Sequence, residues 1–164
     1  SRKLTRLAAA IDGPVYLRFG KDPAEELYPE SEEFPLGGSK MLRDGRDATL
    51  IACGNMVVVA LEAAEILASK GKKVRVIDMY SLKPLDEAAV LRAAKETPGI
   101  VTIEDHNIVG GLGGAVCEVT ATKWPVKVSR VGIQDKFGRS GDAKGLHQLY
   151  GLTAESVVDA VESL

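Results

Sequence analysis

The sequence predicts an α/β fold of three layers, α/β/α, around a mostly parallel five-stranded sheet with one antiparallel strand. From residue 48 onward, short apolar runs rich in β-branched residues alternate with longer segments of helical periodicity. This alternation is typical of parallel strands joined by helices that cover both faces of a sheet. The 164 residues, 45% of them hydrophobic and 27% charged, are enough for one such domain with a short arm.

Residues 1–22 are predicted to be the tail of a preceding domain. Apolar residues recur on one face of a helix that ends before Gly13, at Leu4, Leu7, Ala8 and Ile11. Residues 15–19 then have the composition of a strand. One helix and one strand cannot bury both their faces, so we expect residues outside this chain to complete their sheet.

Residues 23–38 are predicted to be an extended linker, because they contain three prolines, two adjacent glycines and several acids. The main domain, 39–164, follows. Its first strand, over 39–43, is joined to the next, over 48–53, by a turn at Asp44-Gly45. A turn this tight predicts that strand 39–43 is the antiparallel one.

The later elements have clear local signals: Gly71 ends a helix, while Asp86 and Thr153 are suited to cap one. The predicted elements are a helix over 56–70, a strand over 74–78, a helix from 86 to 97, a strand over 100–105, a glycine-started helix to Lys123, a strand over 126–131, a short helix over 146–150 and a last helix after Thr153.

Composition disfavours several classes of partner. The net charge is −2 with both signs interspersed, and only 5% of residues are aromatic, which disfavours nucleic acid and anionic membranes. No apolar run approaches the roughly 20 residues of a membrane helix, and we recognise no signal peptide. Cys53 and Cys117 lie in apolar stretches and are predicted to be buried thiols, which fits a reducing, cytoplasmic location.

The most informative stretch is the charged end of the central strand, Glu104-Asp105-His106, with the glycines that follow it. In an open α/β sheet ligands bind outside the carboxyl ends of the strands, so this stretch is the predicted site. Glu104, Asp105 and His106 suit acid–base chemistry, although a lone histidine at a strand end is more often structural. The glycines over 110–114 allow a tight turn and close packing of helix on strand, and their amides also suit an anionic group.

Other candidate sites rest on fewer residues. Val116 stands at the third-glycine position of a dinucleotide fingerprint, which disfavours a nicotinamide site. The two histidines and two cysteines have no metal-ligand spacing, so no metal site is predicted. Arg139 suits either an anion or a neighbouring acid. Arg18 and Lys21 follow a predicted strand and can reach a phosphate or remain a solvated pair.

Several stretches together carry a family resemblance: 13–18, 50–55, 74–84, Glu104-Asp105-His106, Gly110-Gly111-Leu112-Gly113, Gly138-Arg139-Ser140-Gly141 and 149–152. With these stretches, the chain resembles the transketolase family over residues 13–164. The Arg139-Ser140-Gly141 loop favours transketolase over two related enzymes, deoxyxylulose-phosphate synthase and the β subunit of 2-oxoacid dehydrogenases.

The resemblance implies that the chain holds the tail of a pyrimidine-binding domain and a whole C-terminal domain. The complete enzyme would move a two-carbon ketol unit between sugar phosphates, with thiamine diphosphate and magnesium or calcium. The family's Gly-Asp-Gly diphosphate motif and its cofactor-activating glutamate are not recognisable here. We therefore expect no catalytic residue, metal or cofactor in this chain alone.

The resemblance also assigns candidate contacts. Lys21, where the family usually has arginine, and Arg18 are candidates for the substrate phosphate. Residues expected at a domain interface or an anion site are Glu104, His106, Gly110, Gly111, Gly113 and Arg139. The expected partners are the remaining domains or subunit and a second copy in a homodimer.

Three other interpretations stay open. The chain is a non-catalytic module that docks a partner protein, for which an exposed apolar patch at residues 15–19 is the expected sign. Alternatively, it is the C-terminal part of one of the two related thiamine enzymes. A free-standing nucleotide-binding domain is the third, and Val116 disfavours it.

Overall fold

The computed structural model describes residues 1–20 and 26–164, and it confirms the predicted fold class. One five-stranded sheet has the order β1-β3-β2-β4-β5. Strand β2 pairs in parallel with β3 and β4, strand β4 pairs in parallel with β5, and β1 is antiparallel to β3. The strands are β1 (Lys40–Arg43), β2 (Ala48–Ala52), β3 (Val74–Asp78), β4 (Gly99–Asn107) and β5 (Lys127–Ile133).

Helices cover both faces of this sheet. The helices of the described residues are α1 (Arg2–Ala9), α2 (Met56–Ser69), α3 (Glu87–Glu96), α4 (Leu112–Lys123), α5 (Ala143–Tyr150) and α6 (Ala154–Glu162). Helices α2 and α6 pack on one face, in a buried cluster that includes Leu50 and Val76. Helices α3 and α4 pack on the other, with Ile51 and Ile77. Successive residues of β2 and β3 thus serve opposite layers, which is why both strands are apolar almost throughout.

Short side chains fix several helix starts. As predicted, Asp86 accepts a hydrogen bond from the Ala89 amide and Thr153 accepts one from the Ser156 amide. Helix α5 begins earlier than the predicted residue 146, because the Asp142 side chain accepts from the Gly145 amide and caps it.

Residues 15–19, predicted to be a strand of a sheet completed outside this chain, form no strand with the described residues. The segment is extended, but residues 14–20 make no backbone–backbone hydrogen bond with any described residue. Tyr16 is 86% exposed and Phe19 is 50% exposed. A strand exists only with a partner strand, and the described chain offers none to this segment.

The pairing of β1 also differs from the prediction. Strand β1 is antiparallel, as expected, but its neighbour is β3 rather than β2. The predicted hairpin does not form because the amides of Arg46 and Asp47 donate to the Lys73 carbonyl, and the Asp47 carboxylate accepts from the Lys73 amide. The turn is therefore held beside the start of β3, and β2 continues into the centre of the sheet.

Residues 26–38 are irregular, as expected of a linker, but they do not extend away from the domain. Leu27 packs against the cluster under α2 and α6, and the Phe34 ring lies edge-to-face against Tyr80. The predicted boundary between residues 22 and 23 lies outside the described residues. No helix in the described ranges is long and apolar enough to cross a membrane.

Candidate functional site

The predicted site lies at the edge of the sheet where the parallel strands end. Strands β2, β3 and β4 finish there at Ala52, Asp78 and Asn107. The Glu104-Asp105-His106 motif lies near the end of β4, and α4 begins after the short loop that follows. The motif therefore lies at the edge of the sheet that the sequence predicted, where the parallel strands end.

Glu104 points into the domain. Its side chain is 1% exposed, and its two carboxylate oxygens accept hydrogen bonds from the amides of Leu112 (2.7 Å) and Gly113 (2.8 Å). These are the first two residues of α4, whose N-terminus carries partial positive charge. Glu104 is thus the N-terminal cap of α4, supplied from the neighbouring strand.

The glycines around this cap have separate structural reasons. Gly110 has a φ of 76°, which L side chains rarely adopt. A Cβ at Gly111 would collide with the Glu104 carboxylate. A Cβ at Gly113 would lie 2.8 Å from the buried Thr102 hydroxyl and 2.8 Å from Cδ of Arg130. The close helix–strand packing predicted from these glycines is therefore present.

The same geometry bears on the predicted anion site. An external anion would need the amides at the start of α4, but Glu104 already occupies those of Leu112 and Gly113. A second negative group there would face the buried carboxylate at short range. The contacts thus disfavour an anion site at Glu104, Gly111 and Gly113, and they place the Glu104 side chain inside the domain rather than at its surface.

Asp105 points away from Glu104, whereas His106 lies on the same face of the strand as Glu104 but nearer the surface. The His106 side chain is 53% exposed, and its Nδ1 lies 2.8 Å from the Asn107 carbonyl and 3.9 Å from the Glu104 carboxylate. The Asp105 carboxylate accepts a 3.4 Å hydrogen bond from the Arg18 guanidinium. No nucleophile lies in hydrogen-bond contact with His106 among the described residues, so no catalytic relay is assembled at this edge.

Arg18 is the one predicted phosphate contact that the structure describes. Its side chain is 55% exposed and its ion pair with Asp105 is long, which leaves the guanidinium accessible. Lys21 lies outside the described residues. Gly20 lies against Asn55, beyond the end of β2. The N-terminal arm therefore covers part of the edge where α/β domains bind ligands.

Burial raises the pKa of two titratable groups at this edge, Cys53 and Asp78, and so favours their neutral forms. Burial raises the pKa of Cys53 to about 12, and the nearby Glu104 charge adds to the rise. Cys53 is therefore a thiol rather than a nucleophilic thiolate at neutral pH. Burial also raises the pKa of Asp78 above its ordinary 3.8, although the hydrogen bond from Tyr28 opposes this rise.

Arg139 lies on the loop between β5 and α5 and is exposed, without an ion pair to any residue in the described ranges. The neighbouring Phe137 is fully exposed, and Val109 in the loop after β4 is 66% exposed. Phe137 is not among the predicted site residues, although an aromatic residue between Lys136 and Gly138 in a polar loop is a signal in the sequence.

The described residues do not fit thiamine diphosphate with its metal. They contain no group of three acidic, histidine or cysteine residues able to hold a metal ion. The glycine-loop amides that suit a diphosphate are shared with Glu104 instead. The chain's own residues therefore support no step through this cofactor.

Comparisons with known proteins agree on one family. The family model for the transketolase C-terminal domain matches residues 37–157. A 6-deoxy-6-sulfo-D-fructose transketolase subunit of Clostridium sp. (strain MSTE9) is 43% identical over 155 residues, which cover 94% of this chain and 48% of that protein. A putative transketolase C-terminal section of Methanocaldococcus jannaschii is 42% identical over 164 residues, which cover 98% of this chain and 51% of that protein.

More distant relatives and a solved structure agree. A 1-deoxy-D-xylulose-5-phosphate synthase of Desulfitobacterium hafniense is 38% identical over 167 residues, which cover 99% of this chain and 26% of that protein. A solved structure described as a split gene transketolase in an inactive β4 tetramer superimposes with a TM-score of 0.95 and 42% identity, over 99% of this chain and 53% of that one. The chain thus spans about half the length of the transketolase relatives. It belongs to the transketolase family and carries that family's C-terminal domain.

Proposed function

We propose that this chain is the C-terminal part of an enzyme that transfers a two-carbon ketol unit between sugar phosphates. Thiamine diphosphate, with magnesium or calcium, would be held by other domains of that enzyme. The names of the relatives support this proposal, since one is a transketolase subunit and another a transketolase C-terminal section. Both are about twice as long as the matched region, so the remaining domains would come from the rest of a longer protein or from a partner subunit.

The role of this chain within that enzyme is assembly rather than chemistry. The observation that carries this is the use of Glu104 as an internal helix cap, which leaves the signature motif without a free acid–base pair. His106, Phe137 and Val109 face outward at the same edge of the sheet and are suited to contact a neighbouring domain or a second copy. A homodimer in the cytoplasm is the expected assembled state.

The proposed division of the chain keeps residues 1–22 as the tail of a pyrimidine-binding domain, 23–38 as its connection and 39–164 as the C-terminal domain. The unpaired backbone of residues 14–20 supports this division, because an extended segment with exposed apolar side chains suits the edge of another sheet. Arg18 and Lys21, three residues apart in the sequence, are the proposed contacts to the substrate phosphate.

One experiment tests the proposal. Transketolase activity is measured with thiamine diphosphate and magnesium for the native gene product and, separately, for the 164-residue chain. We expect activity from the native product and none from the chain. Cofactor binding or turnover by the chain alone would overturn the assignment of the cofactor to other domains. A native product that forms 1-deoxy-D-xylulose 5-phosphate instead would support the synthase relatives as the better model.

A further inference from the structure

Residues 26–38, here called the strap, join the N-terminal arm to β1 and make specific contacts that an unstructured tether would lack. The Tyr28 hydroxyl donates a 2.6 Å hydrogen bond to the Asp78 carboxylate. Asp78 is the last residue of β3 and is only 7% exposed. A buried carboxylate with a short hydrogen bond from a phenol is a contact that favours one position of the strap.

Aromatic rings continue this contact along the strap. The Phe34 ring lies edge-to-face with Tyr28 at 5.0 Å on one side and with Tyr80 at 5.1 Å on the other. Lys40 lies 5.5 Å from the centre of the Phe34 ring and also pairs with Glu32 of the strap. These contacts connect the strap to Lys40 in β1 and to Tyr80, which follows β3.

Polar contacts fix the backbone of the strap at its far end. The Tyr80 hydroxyl donates to the Pro35 carbonyl (2.8 Å), and the Gly37 amide donates to the Ser81 hydroxyl (3.2 Å). A side chain at Gly38 would collide with the Tyr80 hydroxyl, so glycine is needed there for the close approach. The strap is therefore attached to the segment after β3 over most of its length.

Helix α1 is attached to the strap in turn. The Lys3 ammonium donates to the carbonyls of Glu30 and Glu32, and Arg2 pairs with the Glu30 carboxylate at 3.3 Å. No residue of α1 is fully buried. An eight-residue helix is marginal in water, so contacts such as these decide how well α1 persists and where it lies.

We propose that the strap acts as a latch: it holds α1 in one orientation relative to the sheet, and the Tyr28–Asp78 hydrogen bond fixes the strap to β3. Its consequence rests on the proposed function: if residues 1–22 belong to a preceding domain, the strap determines how that domain sits against this one. Tyr28 and Asp78 are then positioning residues that act through α1 and not through the substrate.

Hydrogen–deuterium exchange of the 164-residue chain tests the latch without any activity assay, so its outcome is independent of the proposed function. The variants are Tyr28→Phe, which removes the donor, Asp78→Ala, which removes the acceptor, and Asp78→Asn, which keeps an acceptor oxygen. Tyr16→Phe is the matched control, because the Tyr16 ring is 86% exposed.

We expect Tyr28→Phe and Asp78→Ala to speed exchange about tenfold in α1 and in the strap, with α6 unchanged. Asp78→Asn should restore most of the protection, and Tyr16→Phe should have no effect. Unchanged exchange in α1 with Tyr28→Phe would overturn the latch. So would an equal rise in α6, because the bond would then support the whole domain rather than the orientation of α1.

Discussion

Glu104 illustrates how one buried carboxylate can be retained for structure. Burying a charged group is costly unless it is hydrogen-bonded, and Glu104 meets this condition with two backbone amides at a helix N-terminus. Its sequence neighbours Asp105 and His106 are much more exposed. Alternation along the strand separates Glu104 from Asp105, while His106 lies on the same face as Glu104 but at the surface. The three adjacent polar residues therefore have different surroundings.

Glu104→Gln tests this role. The amide nitrogen of glutamine would face one of the two backbone amides, and the favourable charge at the helix N-terminus would be lost. We expect the free energy of unfolding to fall by about 1–3 kcal/mol, measured by urea titration with circular dichroism.

The matched control for this change is Glu118→Gln, on the exposed side of α4. We expect it to change the free energy of unfolding by less than about 0.5 kcal/mol. Equal effects of the two substitutions would show that Glu104 does not cap α4.

Helix α4 shows the same dependence on position at the scale of an element. Two consecutive glycines, Gly113 and Gly114, lie in its first turn, but only Gly113 faces the sheet. The Thr102 hydroxyl that it approaches is buried, with no hydrogen-bond partner among the described residues. Sequence alone gives both glycines the same helix-weakening effect, whereas packing separates them.

Alanine substitutions of these two glycines should change the free energy of unfolding in opposite directions. Gly113→Ala forces Thr102 or Arg130 to move, and we expect a loss of about 1–3 kcal/mol in the free energy of unfolding. A Cβ at Gly114 meets no atom of the described chain within 4 Å, so Gly114→Ala should gain up to about 1 kcal/mol. Thermal and urea unfolding of both variants measure the two signs; a loss for both would contradict the packing argument.

At the scale of the whole molecule, the chain combines a sheet that helices cover on both faces with an N-terminal segment whose backbone is unpaired among the described residues. The five-stranded sheet is covered on both faces, whereas residues 14–20 are extended and unpaired in the described structure. Their apolar side chains Val15, Tyr16 and Phe19 are 41% exposed or more. The backbone N–H and C=O groups of such a segment gain hydrogen-bond partners when it pairs with the edge of another sheet.

Amide exchange of residues 15–20 should therefore depend on the rest of the enzyme. We expect rapid exchange in the 164-residue chain and strong protection in the native gene product, measured by mass spectrometry on the same peptides. Peptides from β2 serve as the internal control, because that strand is central in the sheet and protected in both. Rapid exchange of residues 15–20 in the native product would contradict the proposed docking of this segment.

The sequence by itself determined the fold class, nearly every element, and the edge of the sheet at which the Glu104 motif lies. These features follow from local periodicity, caps and the alternation of strands with helices, which neighbouring residues encode directly. Only the tertiary structure decided that Glu104 caps α4, that β1 pairs with β3, that residues 15–19 form no strand and that the strap closes on Asp78. Each of these depends on a partner distant in sequence, such as Lys73 for the turn before β2 or Asp78 for Tyr28, and local composition carries no information about which distant partner is reached.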